Sequence, residues 1–378
     1  MQRVYLDYNA TTPVDLKVRE AMLPFLGETF GNPSSLHASG ARARKALDEA
    51  REQVAQSLSC RSEEIVFTSG GTEAINLAIR GVVNKIGSSI PHLITSVVEH
   101  KSVLETVEAL EAEGRVEVTR LSVDSEGNID LEKLKAAIRE NTRLISLMWV
   151  NNEIGNIYPI REIGAVARER KILFHVDAVQ ALGKIPIELS KLPVDLASFS
   201  AHKIYGPKGV GALYVRKGVE IRPILHGGAQ EMEKRGGTEN LPGIVGFGAA
   251  CHPIREHIDS SAIAGLRDLL ENQLVARIPG TKIQGNRQSR VANTVQMTFE
   301  RVTSEAILIA LDREGIEVSS GSACASGAVE PSHVLLAMGV SRAEAKGAVR
   351  FSLGRYTTKA DIDYVLERVP MVIERVRG

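Results

Sequence analysis

The chain has 378 residues, 43% of them hydrophobic, with 46 Lys+Arg set against 46 Asp+Glu and three cysteines. This length predicts about two domains of ~150 residues with sizeable cores, and the even charge balance argues against nucleic acid or an anionic membrane as the main partner. Cys60, Cys251 and Cys324 are odd in number and far apart, which argues against a disulfide framework and against a CxxC metal or redox motif.

The opening stretch, MQRVYLDYNATTPVD, lacks the apolar run of a signal peptide, and no segment approaches the roughly 18 uninterrupted apolar residues of a membrane helix, so a cytoplasmic location is expected. Over residues 38–58, Ala43, Ala46, Leu47, Ala50, Val54 and Leu58 recur at three- and four-residue steps, the pattern of an amphipathic helix. EEIVFTS (63–69) then reads as a strand leading into the helical TEAINLAIRGVVNKI, and HLITSVVEH (92–100) leads into SVLETVEALEAEG. TRLISLMWV (142–150), KILFHVD (171–177) and VDLASFSAHK (194–203) continue the alternation. Strands separated by helices imply crossover units and a mostly parallel sheet covered on both faces.

Beyond about residue 251 the order becomes helix, strand, strand, helix: SAIAGLRDLLENQLVARI, VANTVQMTFE (291–300), IEVSS (316–320), AVRFSLG (348–354) and a last helix from Lys359. The expected organisation is an α/β large domain over residues 15–255 and a smaller α+β domain formed by residues 256–378 together with 1–14.

In an open α/β sheet, ligands bind beyond the carboxyl ends of the strands. TSGGTEA (68–74) offers two glycines, a hydroxyl and the free N–H groups of a first helical turn, a suitable nest for phosphate; an ordinary helix cap at Thr72 is the simpler reading. VEH (98–100) ends a strand in an acid and a histidine, and WVNNEIG (149–155) ends one in two asparagines, which more often form turns. HVDAVQA (175–181) sets Asp177 directly after an apolar run, where its charge needs a cation opposite unless it serves as a helix cap. SFSAHKIYGPKG ends its strand in Ser200, His202 and Lys203. A lysine at the end of a buried strand is unusual, and burial would make its amine a nucleophile.

Pyridoxal 5'-phosphate is the one cofactor that needs all these parts together. Its aldehyde takes a lysine, its pyridinium nitrogen a carboxylate, and its phosphate a nest with hydroxyl and imidazole donors. Lys203, Asp177 and Thr72 with Ser200 and His202 fill those places. No GxGxxG follows an early strand, which argues against a nicotinamide-binding protein.

The ordered motifs YLDYNATTPV, GNPSSLH, TSGGTEA, VVEHKSV, VNNEIG, HVDAVQALGK, SAHKIYGPKGVGALYV, RGGTENLPGIVGF, SSGSACASG and AVRFSLGR resemble the cysteine desulfurase family, IscS/NifS type, within the class-V aminotransferase group. The resemblance covers nearly the whole chain. It implies the pyridoxal-phosphate transferase fold of type I, similar to aspartate aminotransferase, and a homodimer with shared active sites.

Carried over by motif, Lys203 would hold the cofactor and move protons, Asp177 would face the ring nitrogen, and Gln180 would bond the phenolic oxygen. His100 would stack on the ring. Gly71, Thr72, Ser200 and His202 would bind phosphate, with Thr238 serving the neighbouring subunit. Asn152 and Arg350 would orient the substrate, the arginine clamping its carboxylate. Cys324, set in the small-residue run SSGSACASG, would take sulfur from L-cysteine as a persulfide, leaving L-alanine, and pass it to an iron–sulfur scaffold or another acceptor protein. No resident metal is expected, although Cys324 could transiently ligate a cluster on a scaffold.

Small neighbours around Cys324 suit a swinging loop, while Cys60, Cys251 and His175 read as structural. Two readings stay open beside this one. A selenocysteine lyase or an aminotransferase would use the same cofactor residues without the persulfide, and a sulfur-carrier scaffold would bind the cofactor without turnover.

Overall fold

The structure is a computed structural model that describes residues 2–87, 89–256, 260–320 and 330–378. Cys324 lies outside the described residues, as does the expectation that its loop is poorly ordered.

The first strand, β1 (Val4–Tyr5), belongs to a small parallel pair considered below. The main sheet contains β2 (Ile65–Thr68), β3 (His92–Ser96), β4 (Glu117–Leu121), β5 (Thr142–Met148), β6 (Leu173–Asp177), β7 (Leu196–Ser200) and β8 (Gly211–Val215), in the spatial order β2-β8-β7-β6-β5-β3-β4. Only β8 is antiparallel to its neighbours, β2 and β7, so the other six strands point the same way. Their carboxyl ends therefore share one edge.

Apart from the edge strand β4 (EVTRL), these strands are largely buried because both faces are covered. Alternation sends Ile145, Leu147, Phe174 and Val176 to one face, against Leu47 and Val54 of the helix Ala38–Ser57 and Ile163 of the helix Ile160–Glu169. Leu93, Leu144, Leu196 and Leu213 face the other side, against Ile75, Ala78 and Val82 of the helix Gly71–Ile86 and Val107 of the helix Lys101–Ala112. His175, inside β6, is buried and bonds Ser146 and Ser198 on the flanking strands. Burial pushes its pKa down to about 3, as suits a neutral core residue.

A third apolar core forms around β9 (Thr281–Gln284), β10 (Thr294–Phe299) and β12 (Ala348–Ser352), an antiparallel sheet in the order β12-β10-β9. It packs Val295, Met297, Val349 and Phe351 against the helices Ser261–Arg277 and Lys359–Arg377. The stretch read as IEVSS contributes β11 (Ile316–Glu317), which pairs in parallel with β1. Through that pair, Val4 and Leu6 of the amino-terminal segment join this core.

The periodic pattern does not reveal β4, β8 or β9. GALYV of β8 follows a Gly-Pro-Lys-Gly turn too closely to stand out, and its strand character comes from pairing with residues about 150 positions earlier, Ile65–Thr68.

Candidate active site

The shared carboxyl edge of the main sheet borders a cavity of about 390 Å³. Gly71 and Thr72 reach it from beyond β2, His100 from beyond β3 and Asn152 from beyond β5. Asp177 and Gln180 come from the end of β6, and Ser200, His202 and Lys203 from the end of β7. Arg350 arrives from β12, across the junction between the two sheets. Thr238 is exposed and lies outside this cavity, in a small cleft with Ser69, Arg235 and Asn240.

Lys203 sits in a one-turn helix after β7 and donates from Nζ to the carbonyls of Asn9 at 2.8 Å and Ala10 at 2.7 Å. Burial, reinforced by the Arg350 guanidinium, lowers its pKa to about 8, while Asp7 and Asp177 pull the other way. Asp177 closes β6 and accepts the Val179 N–H at 3.0 Å. Burial raises its carboxyl to about 6, opposed by that hydrogen bond and by Lys203. A buried amine near neutrality beside a buried carboxylate is the pairing that carbonyl chemistry requires.

His100 caps the helix Lys101–Ala112, and its Nδ1 accepts the Ser102 N–H at 3.1 Å. Burial, then the electrostatic influence of Lys203, the His333 ring and Lys101, lowers its pKa to about 4. With Nδ1 used as an acceptor, the neutral ring carries its proton on Nε2. His202 bonds Thr11 Oγ1 through Nδ1 at 3.1 Å and is also held down to about 4 by burial and then by Lys203 and Lys208.

The helix Gly71–Ile86 starts after Gly70 with no side-chain cap, so Thr72 is not the cap. Its first N–H groups have no intrahelical partner. A Cβ at position 71 would meet Val179 Cγ2 at 2.8 Å and Ser200 Cβ at 3.6 Å, so glycine is what lets this helix end close on the cavity.

Arg350 is 4% exposed and donates from Nη2 to Asp7 at 2.7 Å and from Nη1 to the Asn152 carbonyl at 2.9 Å. Its Nε has no partner among the described residues. Asn151, the first asparagine of the pair, is a turn former: its Oδ1 accepts the N–H groups of Glu153 and Ile154.

Several residues at the site had no signal in the periodic pattern. Asn9 bridges Lys203 and Gln180, accepting from both at its carbonyl. Lys184 bonds Gln180 and Asn9. Glu153 and His333 line the cavity, and His333 Nε2 donates to the Glu99 carbonyl at 2.9 Å. Among the described residues no group of three or more His, Cys, Asp or Glu could hold a metal ion. No helix among them is long and apolar enough to cross a membrane.

The profile of the aminotransferase class-V family matches residues 4–365. The chain belongs to that family. Within the family it is similar to proteins named cysteine desulfurase IscS from Dictyoglomus turgidum, 50% identical over 378 residues (100% of this chain and 96% of that one), and from Methanosarcina thermophila, 49% identical over 377 residues (99% and 93%). Among solved structures, a NifS-like protein is 41% identical with a TM-score of 0.93, covering 99% of this chain and 100% of its own. One titled SspA in complex with cysteine is 39% identical with a TM-score of 0.83, covering 94% and 100%.

These relatives place the chain in the IscS/NifS-type branch and its fold among the type I pyridoxal-phosphate enzymes. The class-V cofactor is pyridoxal 5'-phosphate, and this cavity fits it: a lysine with lowered pKa, a carboxylate ending the neighbouring strand, and a glycine-tightened helix start stand together in one hollow. Cys60 and Cys251 read as structural here too. Burial pushes each thiol up to about 12, where no reactive thiolate forms near neutrality.

Proposed function

We propose that this chain is a cytoplasmic, homodimeric cysteine desulfurase that converts L-cysteine to L-alanine and carries the released sulfur as a persulfide on Cys324. The observation that supports this most is the pairing of Lys203 with Asp177 inside a cavity that also holds Arg350.

When bound, pyridoxal phosphate supplies an electron sink for the substrate's α-carbon. Lys203 would anchor the cofactor and, as a free amine, would carry protons to and from that carbon. Asp177 would face the ring nitrogen and Gln180 the phenolic oxygen. Gly71, Thr72, Ser200 and His202 receive the phosphate, and Thr238, outside its own chain's cavity, serves the site of a second copy. His100, with its proton on Nε2, would flank the ring and could give that proton. Arg350 and Asn152 orient the substrate, the arginine through its carboxylate.

Cys324 attacks the substrate's sulfur. The carbon–sulfur bond breaks as a sulfur–sulfur bond forms, and the electron pair left on carbon takes a proton to become the methyl group of alanine. The outer sulfur of the persulfide then passes to an acceptor protein such as an iron–sulfur scaffold, and the Cys324 thiolate leaves with the electron pair of the broken sulfur–sulfur bond.

The dimer reading draws support from the segment spanning residues 23–36, where Leu26 is 67% exposed, Phe30 80% and Leu36 fully, too much apolar surface for an isolated chain to favour. The division into residues 15–255 and 1–14 with 256–378 is supported by the separate apolar core around β10 and β12, which draws in Val4 and Leu6. Lys203→Ala tests the site: the absorbance of lysine-bound cofactor should vanish, and its retention would overturn the lysine assignment.

A further inference from the structure

A second lysine stands one hydrogen bond from the cofactor cavity without lining it. Lys184 follows Gln180 by four positions, in the stretch QALGK after β6. Its Nζ donates to Asn9 Oδ1 at 2.7 Å and makes a close hydrogen bond to Gln180 Oε1. Neither partner is ionised, and the nearby charges of Lys203 and Arg350 have its own sign. Burial first, then those two cations, lowers the Lys184 pKa well below its usual value. An amine kept among like charges with only amide oxygens for company is a costly arrangement.

The hydrogen bonds show what the arrangement does. Asn9 cannot turn its amide over, because Nδ2 donates to the Asn152 carbonyl at 3.1 Å and to Thr294 Oγ1 at 2.8 Å, and Oδ1 accepts from Asn293 Nδ2 at 3.1 Å. Asn9 Oδ1 is thus fixed as an acceptor and pins the Lys184 amine as its donor. The second N–H of that amine meets Gln180, and only an oxygen can receive it. The other end of the same amide, Gln180 Nε2, donates to the Asn9 carbonyl at 2.9 Å. Turning the Gln180 amide over would set a donor against the amine and an oxygen against a carbonyl. Charged or neutral, the Lys184 amine has the two donors needed.

Gln180 Nε2 carries two hydrogens, and the Asn9 carbonyl takes one. The other belongs to a side chain that lines the cavity. We propose that Lys184 is a positioning residue: with Asn9 as the fixed post, it holds the Gln180 amide so that an N–H, never the oxygen, is available to the phenolic oxygen of the cofactor. This rests on the reading above that the cavity takes pyridoxal phosphate with Gln180 at that oxygen. A phenolate meeting an N–H is stabilised, whereas one meeting the amide oxygen is repelled.

The test uses holoenzymes reconstituted with pyridoxal phosphate: wild type, Lys184→Met, Lys184→Arg, Gln180→Leu and the double variant Lys184→Met/Gln180→Leu. The readout is the pH midpoint of the visible absorbance of the lysine-bound cofactor. Lys184→Met and Gln180→Leu should each raise that midpoint by about one pH unit. The double variant should move it no further than Gln180→Leu alone, and Lys184→Arg, which keeps the donors, should restore the wild-type value. If Lys184→Met does not fold, Lys184→Leu, which likewise carries no donor, takes its place with the same expected shift. A wild-type midpoint in the Lys184 variant beside a shifted Gln180→Leu overturns the proposal. So does full additivity in the double variant, which would mean that Lys184 acts on the cofactor by its charge rather than through Gln180. A wild type that takes up no pyridoxal phosphate and shows no such band would bring down the functional reading first, and this inference with it.

Discussion

Arg350 Nη2 lies 2.7 Å from Asp7 Oδ1, so the arginine at the cavity is held by the amino-terminal segment before any substrate arrives. Its other terminal nitrogen is tied to the Asn152 carbonyl, which leaves the planar fork fixed rather than searching. A fork aimed in advance loses little freedom on meeting a carboxylate. Arg350→Lys keeps the charge but not the fork, and should raise the KM for L-cysteine about tenfold or more, with a smaller effect on kcat. Steady-state kinetics of the purified variant check this, and an unchanged KM would remove Arg350 from substrate binding.

Lys203, which lines the cavity, should react faster near neutral pH than the surface lysines of the apoenzyme. Its pKa is lowered to about 8, and the neutral amine, which is the reactive form, accumulates as pH rises through that value. Site-resolved reductive methylation followed by mass spectrometry should show labelling of Lys203 rising with a midpoint near pH 8 and levelling above it, against the roughly 10.4 of an ordinary lysine. A midpoint near the ordinary value would mean the amine is solvated.

Much of this site is legible in the sequence because each strand announces its own end. Asp177 follows an apolar run, and Lys203 closes a strand read as buried; the parallel sheet then brings both to one edge. Residues whose placement depends on distant pairing carry no such local mark. Asn9 reaches the site only because the amino-terminal segment is bound to β11 and β12, more than 300 positions away. Lys184 looks like a surface lysine after a Gly until the turn beyond β6 is folded back on Asn9. Thr238 gives no sign in the sequence of which cavity it would serve.

Gly71→Ala should weaken binding of pyridoxal phosphate more than it weakens the fold. The added methyl would press on Val179 Cγ2 at 2.8 Å, at the point where the helix start meets the cavity, whereas alanine suits the helix itself. Quenching of the single tryptophan, Trp149, whose backbone N–H donates to the Asp177 carbonyl at 2.9 Å, gives the affinity directly. A loss of about tenfold or more is expected, with the Tm of the apoenzyme unchanged or raised. Wild-type affinity would show that the phosphate does not sit there.

Glu99 should make the protein less stable as pH rises from about 4.5 to 8. It is fully buried, with Oε1 accepting from Ser96 at 2.6 Å and Oε2 without a partner among the described residues. Burial raises its pKa to about 8, opposed by hydrogen bonds from Ser96 and Met148 and aided by Asp177. The folded state therefore binds a proton that the unfolded state has released, and this stabilising contribution, complete below the unfolded value, is lost as pH climbs through the folded one. Glu99→Gln should flatten that slope and be at least as stable as wild type at pH 8. Denaturant unfolding at a series of pH values checks it, and an unaltered slope in the variant would contradict the assignment.

The most direct test of the account is the turnover of L-cysteine in the presence of a thiol reductant, comparing wild type with Cys324→Ala. The wild type should release alanine and sulfide in equal amounts. Cys324→Ala should keep the absorbance of the lysine-bound cofactor and release neither product. Undiminished alanine from that variant would contradict the persulfide on Cys324 and return the chain to the other chemistries its cofactor residues allow.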